Sequence, residues 1–317
     1  MAAGGPSTRQ TPAVEYDTIA QMFLRPLTEP IAEPEVPHTP ARRLRDALEP
    51  IATQGWWSRE VYDRYTALGL AFFDGYVWGR AASLGSPPAE QVVSAFGVFE
   101  PAFLSSVYEN GRAAADRDDI LAARADGATA SLRRILGTDP GTVHEVAAVA
   151  DLLLRALSRL DGTARPLFSG LRALPLPSDA HGRLWRAAEL VREHRGDGHL
   201  AACITTGLTP VTMTILTELW LGYPAGMYLG SRGYGAEPLA EGLAELGRRG
   251  LVADAQLTDE GRRVRIAIEV ATDSSQSQLV AALGERIDDL VGTVAGWAEL
   301  VVTGGAFPTD PRKRAAG

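Results

Sequence analysis

Residues 237–263, EPLAEGLAELGRRGLVADAQLTDEGRR, indicate the fold more directly than any other stretch of this sequence. Leucine recurs in the first half at the spacing of one helix face, which predicts a helix over residues 237–249. Gly250 follows that helix and suits the left-handed backbone conformation that commonly closes a helix. The stretch therefore starts with an amphipathic helix that ends at a defined position.

The second half of the stretch has the pattern of a short β-hairpin followed by another helix. Residues 251–253 and 256–258 are predicted strands, and the two residues between them form the turn. Thr258 or Asp259 then caps a helix that is predicted to run to about residue 271. A helix, a hairpin and a helix in this order are typical of a winged helix-turn-helix. The sequence therefore predicts a mainly α-helical chain with a small β wing.

The same stretch leaves DNA binding open. In a winged helix-turn-helix, the helix at 237–249 would enter the major groove of DNA. This helix carries Glu237, Glu241 and Glu245, and carboxylates that face phosphates reduce affinity for DNA. The arginines predicted to bind DNA are Arg232, Arg248, Arg249, Arg262 and Arg263. Arg232, Arg262, Arg263 and Arg265 are predicted to form a patch that contacts the DNA backbone. The alternative is a winged helix that is kept as a structural or dimerising unit.

Two parts of the sequence resemble known families. LAELGRRGLVADAQLTDEGRRV, residues 243–264, resembles the recognition helix and wing of MarR-type regulators. RPLFSGLRALPLPSDAHGRLWRAAELVREHRGDGHLAAC, residues 165–203, is similar to an actinobacterial helix-turn-helix family, as are GYVWGRAASLG and VFEPAFL nearer the N-terminus. The second resemblance covers about residues 40–300. It implies a winged-helix fold and no established reaction, and its most recognisable motif is HRGDGH, residues 194–199.

The HRGDGH block is the main candidate for chemistry. Two glycines within three residues cost a helix about 2 kcal/mol, which predicts that one helix ends at Gly196 and that Asp197 caps the next. His194 and His199 would lie about 140° apart on a continuous helix, but they can converge on a shared ligand if the backbone bends between them.

Several roles are open for these side chains. Two imidazoles beside a carboxylate can bind a divalent metal, haem or an acidic ligand, can transfer protons, or can simply hydrogen-bond to the backbone. Arg195 either holds a carboxylate or phosphate or is exposed to solvent. The candidate catalytic residues are His194, Asp197 and His199, of which the two histidines are also candidate metal ligands. No cofactor is identified.

Aromatic residues are concentrated between residues 56 and 108, which hold twelve of the 22 in the chain. They line a pocket for a flat apolar ligand or pack as an ordinary helical core. Arg80 lies among them and requires a carboxylate partner, for which Asp74 and Glu100 are available. The candidate ligand-binding residues are Tyr76, Trp78, Arg80, His194, Arg195 and His199.

The pattern of helices, glycines and prolines divides the chain. The predicted parts are a disordered proline-rich arm at 1–38, an aromatic-rich helical unit at 39–137, a winged helix-turn-helix unit at 138–275, a long helix at 276–303 and a disordered tail at 304–317. A match at an offset of 123 residues, with Asp74-Gly75 over Asp197-Gly198 and Pro87 over Pro210, predicts an internal duplication into tandem winged helix-turn-helix-like units. Apolar residues at helical spacing along 276–302 predict a homodimer.

Composition limits the function classes further. The 317-residue chain has a net charge of −8, which opposes non-specific DNA binding. It has one cysteine, no apolar run of membrane-spanning length and no signal-peptide pattern at its start, so we expect a cytoplasmic protein that does not span a membrane. Phosphate-binding glycine loops, dinucleotide fingerprints, nucleophile elbows and zinc-ligand spacings are absent from the sequence.

Three functions compete on this basis. The leading hypothesis is a small-molecule-responsive transcription regulator, in which the aromatic half and the histidine block bind an apolar or aromatic ligand. The second is an enzyme of natural-product metabolism, or a metal- or haem-binding protein, that uses His194 and His199 on a winged-helix scaffold that does not bind DNA. The third is a purely structural or partner-binding protein.

Overall fold

The computed structural model of the chain describes residues 16–24, 31 and 35–316. Most of the predicted arm at 1–38 therefore lies outside the described residues. Within it, Tyr16–Ile19 form α1, which continues as a π-helix at Ala20–Leu24. The Tyr16 hydroxyl donates a hydrogen bond to the Trp57 carbonyl (3.0 Å), so this segment contacts the end of the next helix.

The N-terminal part of the described chain is a group of packed helices. They are α2 at Pro40–Trp57, α3 at Arg59–Ala67, α4 at Phe72–Ala81, a 3₁₀ turn at Ala82–Leu84, α5 at Ala89–Phe96, α6 at Pro101–Ala114, α7 at Arg117–Leu136, α8 at Pro140–Leu157 and α9 at Pro166–Arg172. The side chains of Thr39, Glu100 and Asp139 accept backbone N–H bonds at the starts of α2, α6 and α8. A proline follows each of these caps, at a position where its missing N–H would have no helical partner.

The C-terminal part contains the helix-turn-helix. Its elements are α10 at Ala180–Thr205, α11 at Pro210–Trp220, α12 at Met227–Gly230, α13 at Ala236–Arg248, β1 at Val252–Ala253, β2 at Gln256–Leu257 and α14 at Asp259–Ser274. The two strands are antiparallel, with Val252 opposite Leu257. Asp254 and Ala255 form the turn between the strands with φ of 49° and 54°, the left-handed geometry of a two-residue hairpin. The predicted mainly α-helical fold with a small β wing is confirmed.

The end of the chain differs from the prediction. It forms α15 at Ser277–Leu283, a 3₁₀ turn at Gly284–Arg286, α16 at Ile287–Thr303 and α17 at Pro311–Ala316. The predicted single helix at 276–303 is wrong because the chain breaks at Gly284, which has a φ of 54°. The predicted disorder is wrong for residues 304–316, since Phe307 is buried in the core and α17 follows it.

The apolar stripe that suggested a homodimer is used inside the chain. Leu279, Leu283, Leu290 and Val294 are all buried. They belong to the same hydrophobic core as Leu44, Leu48 and Ile51 of α2, along which α16 packs. These side chains are therefore not available to a second copy, and the basis of the predicted homodimer is wrong.

The buried residues form two hydrophobic cores. The larger one extends from Leu44 to Val191 and includes residues 279–307, whereas the smaller one lies between Ala202 and Ile268 and includes Ala315. Helix α10 contributes to both cores. The two cores therefore do not follow the predicted boundary between residues 137 and 138.

The match at an offset of 123 residues does not mark equivalent joints. Asp74-Gly75 lies in the first turn of α4, whereas Asp197-Gly198 lies in the interior of α10. Pro210 begins α11, and Pro87 lies in the loop before α5. The internal duplication stays a prediction.

Among the described residues, no single helix is long and apolar enough to cross a membrane. Helices α10 and α11, which meet at 106°, pass that test only as a bent pair, on length and composition alone.

Candidate functional site

The HRGDGH block lies inside α10, which runs through it without a break. The predicted helix end at Gly196 and the predicted capping role of Asp197 are therefore wrong. Gly198 shows why glycine is tolerated here: a Cβ atom at this position would lie 2.5 Å from Ser275 Oγ. The close approach to the segment after α14 requires a residue without a side chain, and the resulting packing offsets a helix-propensity cost of about 1 kcal/mol.

The two histidines point to different neighbours. His194 Nδ1 is 2.9 Å from Gln276 Oε1, and its ring packs edge-on against Phe168 with 4.8 Å between ring centroids. His199 Nδ1 is 3.0 Å from Thr272 Oγ1. Five residues apart on a continuous helix, the side chains diverge by about 140°, so the predicted convergence on a shared ligand is wrong. The described residues also contain no group of three or more His, Cys, Asp and Glu side chains placed to hold a metal ion.

Burial displaces the protonation equilibria of this part of α10. It lowers the pKa of His194, and it lowers the pKa of His199 to about 3, so both imidazoles are neutral near pH 7. Burial raises the pKa of Asp197 to about 7, against the opposing effect of the Phe168 N–H that donates to its Oδ2 (3.1 Å). Asp197 is therefore the acid of the block that can gain or lose a proton near neutral pH.

Arg195 belongs to a buried cluster of ion pairs. Its Nη2 donates to Glu269 Oε2 (2.7 Å) and to Asp273 Oδ1 (3.1 Å). Arg42 and Arg265 also bind Glu269, at 2.7 and 2.5 Å. Burial opposes ionisation of Glu269, but the surrounding arginines hold its pKa well below the usual range. Arg195 is thus neither exposed to solvent nor free to hold a ligand.

The predicted ligand-binding residues of α4 point in different directions. Trp78 lies in the core, where its Nε1 donates to the Ala115 carbonyl (2.9 Å). Arg80 donates to both carboxylate oxygens of Glu193 on α10, each at 2.9 Å, and to the Tyr76 hydroxyl at 3.2 Å. The predicted partners of Arg80, Asp74 and Glu100, are wrong.

A cleft lies between the N-terminal helices and the helix-turn-helix. It consists of two adjoining cavities of about 100 and 120 Å³, which we call the interunit cleft. The first cavity has a wall of aromatic side chains from α2 and α4, namely Trp56, Trp57, Phe72, Phe73 and Tyr76. Its other side is formed by Tyr228, Ser231, Arg232 and Lys313. Of the predicted ligand-binding residues, the second cavity brings together Tyr76, Arg80 and His199.

Several charged side chains of the interunit cleft form ion pairs with one another. Arg80 pairs with Glu193, and Arg192 pairs with Glu193 at 3.1 Å. Arg192 also lies 4.4 Å from the Trp56 ring centroid, which makes it part of the aromatic wall. Arg232, on the opposite side, has a buried Nε atom without a hydrogen-bond partner among the described residues.

The helix-turn-helix surface is only partly basic. Helix α13 packs on α11 and exposes Glu237 and Glu241. Arg248, Arg262 and Arg263 are exposed at the end of α13 and directly after the wing. Three predicted DNA contacts are placed otherwise: Arg249 donates to the carbonyls of Thr206 and Gly207, Arg232 lies in the interunit cleft, and Arg265 is buried against Glu269.

Comparison with known proteins agrees with this architecture. The sequence pattern of a helix-turn-helix family matches residues 41–308, which is most of the chain. The chain belongs to this helix-turn-helix family. No curated protein and no solved structure matches it. Membership in the helix-turn-helix family is compatible with a DNA-binding regulator.

Sequence reasoning missed three residues that line the cleft, Arg192, Glu193 and Lys313. Arg192 and Glu193 precede the HRGDGH block and, as a charged pair in the interior of a long helix, were candidates for buried partners. Lys313 is the single lysine in a chain with 31 basic residues, and that rarity was the available signal. Lys313 was missed because it lies in the stretch that the sequence predicted to be disordered.

Proposed function

We propose that this member of the helix-turn-helix family is a cytoplasmic transcription regulator whose DNA binding responds to a small molecule in the interunit cleft. The occupant would lie between the aromatic wall of α2 and α4 and the segment that joins α11 to α13. Its presence would change how that segment is held, and therefore how α13 is presented to DNA.

One observation carries this proposal. Tyr228, Ser231 and Arg232, which line the cleft, belong to the connection between the two helices of the helix-turn-helix. The connection is already held by the N-terminal helices, because the Tyr234 hydroxyl donates to the Phe99 carbonyl (3.1 Å). A ligand that contacts both sides of the cleft would therefore bind with a different affinity to each position of the connection. Such a difference in affinity is what control by a ligand requires.

The basic residues around the wing support a DNA contact at the edges of α13. Arg248 at the end of α13 and Arg262 and Arg263 at the start of α14 are exposed, although Arg263 also pairs with Glu260. The exposed glutamates of α13 make a broad contact with phosphates unfavourable. We therefore expect a modest number of phosphate contacts for each chain, made by these arginines.

The test measures DNA binding and its salt dependence. Labelled DNA from upstream of the protein's own gene is titrated with the whole chain between 50 and 300 mM salt, and Arg248→Ala and Arg262→Ala are measured in parallel. Each variant should weaken binding and reduce the slope of log affinity against log salt by about 1. Arg112→Ala, which removes an arginine far from the wing, is the control and should behave as the unaltered chain. Absence of salt-dependent binding, or identical slopes in all variants, would contradict the proposal.

Asp197 favours a second function, an enzyme that uses this carboxyl group for proton transfer. Asp197 lines the second cavity and has a pKa of about 7, and a general acid or base works best near the ambient pH. Incubating a cell extract of small molecules with the protein and with Asp197→Asn tests this function. A compound that changes mass with the protein but not with the variant supports the enzyme; an unchanged extract opposes it.

A further inference from the structure

The second cavity of the interunit cleft contains a carboxyl group without an ion-pair partner in the described part of the chain. Asp197 of α10 lines this cavity and is only 5% exposed. Its Oδ2 accepts the Phe168 N–H (3.1 Å), and its Oδ1 accepts no hydrogen bond from the described residues. Buried carboxyl groups are normally paired or fully hydrogen-bonded, so Asp197 has an oxygen available to a donor in the cavity.

The charged side chains that act on Asp197 are bound to other groups. Arg80 of α4 donates to both carboxylate oxygens of Glu193, each at 2.9 Å. Arg165, which precedes α9, donates to two backbone carbonyls, and both histidines of the HRGDGH block are neutral near pH 7. Burial raises the pKa of Asp197 to about 7; Glu193 adds to this rise, and Arg80 and Arg165 oppose it. A positive group of a ligand would therefore meet a carboxyl group that ionises readily at neutral pH.

Arg232 brings a positive group to the same cavity from a different element. It lies in the connection between α12 and α13, and its Nη2 donates to the Tyr228 hydroxyl. Its guanidinium lies 4.8 Å from the Phe99 ring centroid, and its buried Nε has no hydrogen-bond partner among the described residues. The glutamates of the cleft, Glu49 and Glu193, pair with other arginines. An acceptor in the cavity would therefore complete the hydrogen bonding of Arg232.

The rest of the second cavity suits a short aliphatic group. Its apolar lining includes Phe96, Leu167, Leu200 and Met213. An apolar cavity of about 150 Å³ admits benzene. The second cavity, at about 120 Å³, therefore suits a short aliphatic group rather than a system of fused rings. Because Asp197 and Arg232 border one small cavity, a single small molecule can reach both of them.

We infer that the second cavity binds a small aliphatic α-amino acid, with its ammonium group at Asp197, its carboxylate at Arg232 and its side chain against the apolar lining. Charge complementarity selects this class of ligand. A simple anion would leave Asp197 without a donor, and a simple amine would leave Arg232 without an acceptor, whereas a zwitterion satisfies both. The inference deepens the proposed function, on which it rests for the biological role of the site, because the ligand would link α10 to the connection before α13.

Isothermal titration of the whole chain with three matched probes tests the inference. The probes are L-leucine, 4-methylpentanoate, which lacks the ammonium group, and 3-methylbutylamine, which lacks the carboxylate. L-leucine should bind at least about tenfold more tightly than either analogue, because each analogue leaves one charged group of the cavity without its partner. Asp197→Asn should reduce the preference for L-leucine over 4-methylpentanoate to within about threefold. Arg232→Gln should do the same to the preference for L-leucine over 3-methylbutylamine.

Asp126→Asn and Arg112→Gln are the matched controls, since they make the same chemical changes at residues that do not line the cleft. Both should bind all three probes as the unaltered chain does. Thermal unfolding checks each variant, and if Arg232→Gln does not fold, Asp197→Asn and the three probes on the unaltered chain decide the test. Equal binding of L-leucine and its analogues, or no binding of L-leucine at millimolar concentration, overturns the inference.

A second readout follows the proton of Asp197. The ammonium group favours the ionised carboxylate, so binding at pH 7 should release about half a proton from a group whose pKa is about 7. Titrations in PIPES and in Tris, which differ in ionisation enthalpy, measure this proton. The affinity for L-leucine should also rise about tenfold from pH 6 to pH 8, because the ionised fraction of Asp197 rises from about 0.1 to about 0.9. Asp197→Asn should abolish both effects, and their persistence in the variant contradicts the inference.

The inference and the proposed function can fail separately, because neither readout contains DNA. Binding of L-leucine that depends on Asp197 and Arg232 but has no effect on DNA binding would support the inference and contradict the proposed regulator. Salt-dependent DNA binding by a chain that does not bind L-leucine would overturn the inference and leave DNA binding in place.

Discussion

Asp197 has an environment very different from that of the same side chain in water. It lies within a helix, is buried, and accepts one backbone hydrogen bond without forming an ion pair with a neighbouring arginine. Its pKa of about 7 exceeds the ordinary value of 3.8, so the folded protein holds a proton between these pH values that the unfolded chain has released. The stability due to this group is therefore complete below about pH 4 and is lost as the pH rises through 7.

Asp197→Asn should reverse that loss, because asparagine resembles the protonated acid and keeps an oxygen for the Phe168 N–H. The variant should gain about 1 to 4 kcal/mol in free energy of unfolding at pH 8 relative to the unaltered chain, and the difference should vanish toward pH 4. Urea unfolding at both pH values measures it. Asp126→Asn, which makes the same chemical change at an exposed carboxylate, is the control. A constant difference at all pH values would show that burial does not raise this pKa.

Single-residue contacts were the part of the site that the sequence predicted least well. The need of Arg80 for a carboxylate partner was predictable, but Glu193 is 113 residues away along the chain. Tyr76 and Trp78 are two residues apart on one helix, but Tyr76 lines the cleft and Trp78 lies in the core. These outcomes depend on which helices pack together, and the local pattern does not contain that information.

At the scale of elements, the wing was predicted well because its signals are local. The helix stop at Gly250, the short strands and the cap at Thr258 all act within a few residues, and the structure has them at the expected places. Helix α10 was predicted wrongly because its two glycines were taken as a helix end, whereas Gly198 lies at a close contact with Ser275, which is distant in the sequence. Local propensity decides an element only where tertiary packing does not override it.

The turn of the wing leads to a prediction about stability. Ala255 has a φ of 54°, which is unfavourable for any residue with a Cβ atom. Ala255→Gly should therefore raise the free energy of unfolding by about 1 kcal/mol and create the Asp-Gly sequence preferred in such hairpins. Ala253→Gly in the adjacent strand is the matched control and should destabilise by about 0.5 to 1 kcal/mol. If both changes destabilise the protein, the turn does not have this geometry in solution.

At the scale of the whole molecule, the segment after α16 connects the two cores. Phe307 lies in the larger core and Ala315 in the smaller one. Arg42 of α2 donates to the Ala315 carbonyl (3.2 Å), and the Tyr223 hydroxyl lies 3.0 Å from Asp310 Oδ2. The glycines and prolines of this stretch predicted a disordered end. Composition does not show that Phe307 packs into the larger core.

Phe307→Ala should test whether this segment is part of the folded unit. Removing a buried phenylalanine side chain typically costs about 3 to 5 kcal/mol of stability, so the variant should unfold at clearly lower denaturant concentration. Leu176→Ala, at an exposed side chain, is the control and should change stability by less than about 0.5 kcal/mol. A variant as stable as the control would place Phe307 outside the core.

The packing of α2 against α16 has a consequence for how the protein reaches its fold in the cell. These two helices lie more than 200 residues apart in the sequence, at Pro40–Trp57 and Ile287–Thr303. At a synthesis rate of about 5 to 20 residues per second, α2 leaves the ribosome some ten to fifty seconds before α16 exists. During that interval the part of the α2 surface that packs against α16 has no permanent cover, although α7 and α10, which also pack on α2, have already been made. Chaperones that shield nascent chains should therefore associate with this protein until translation has passed residue 303.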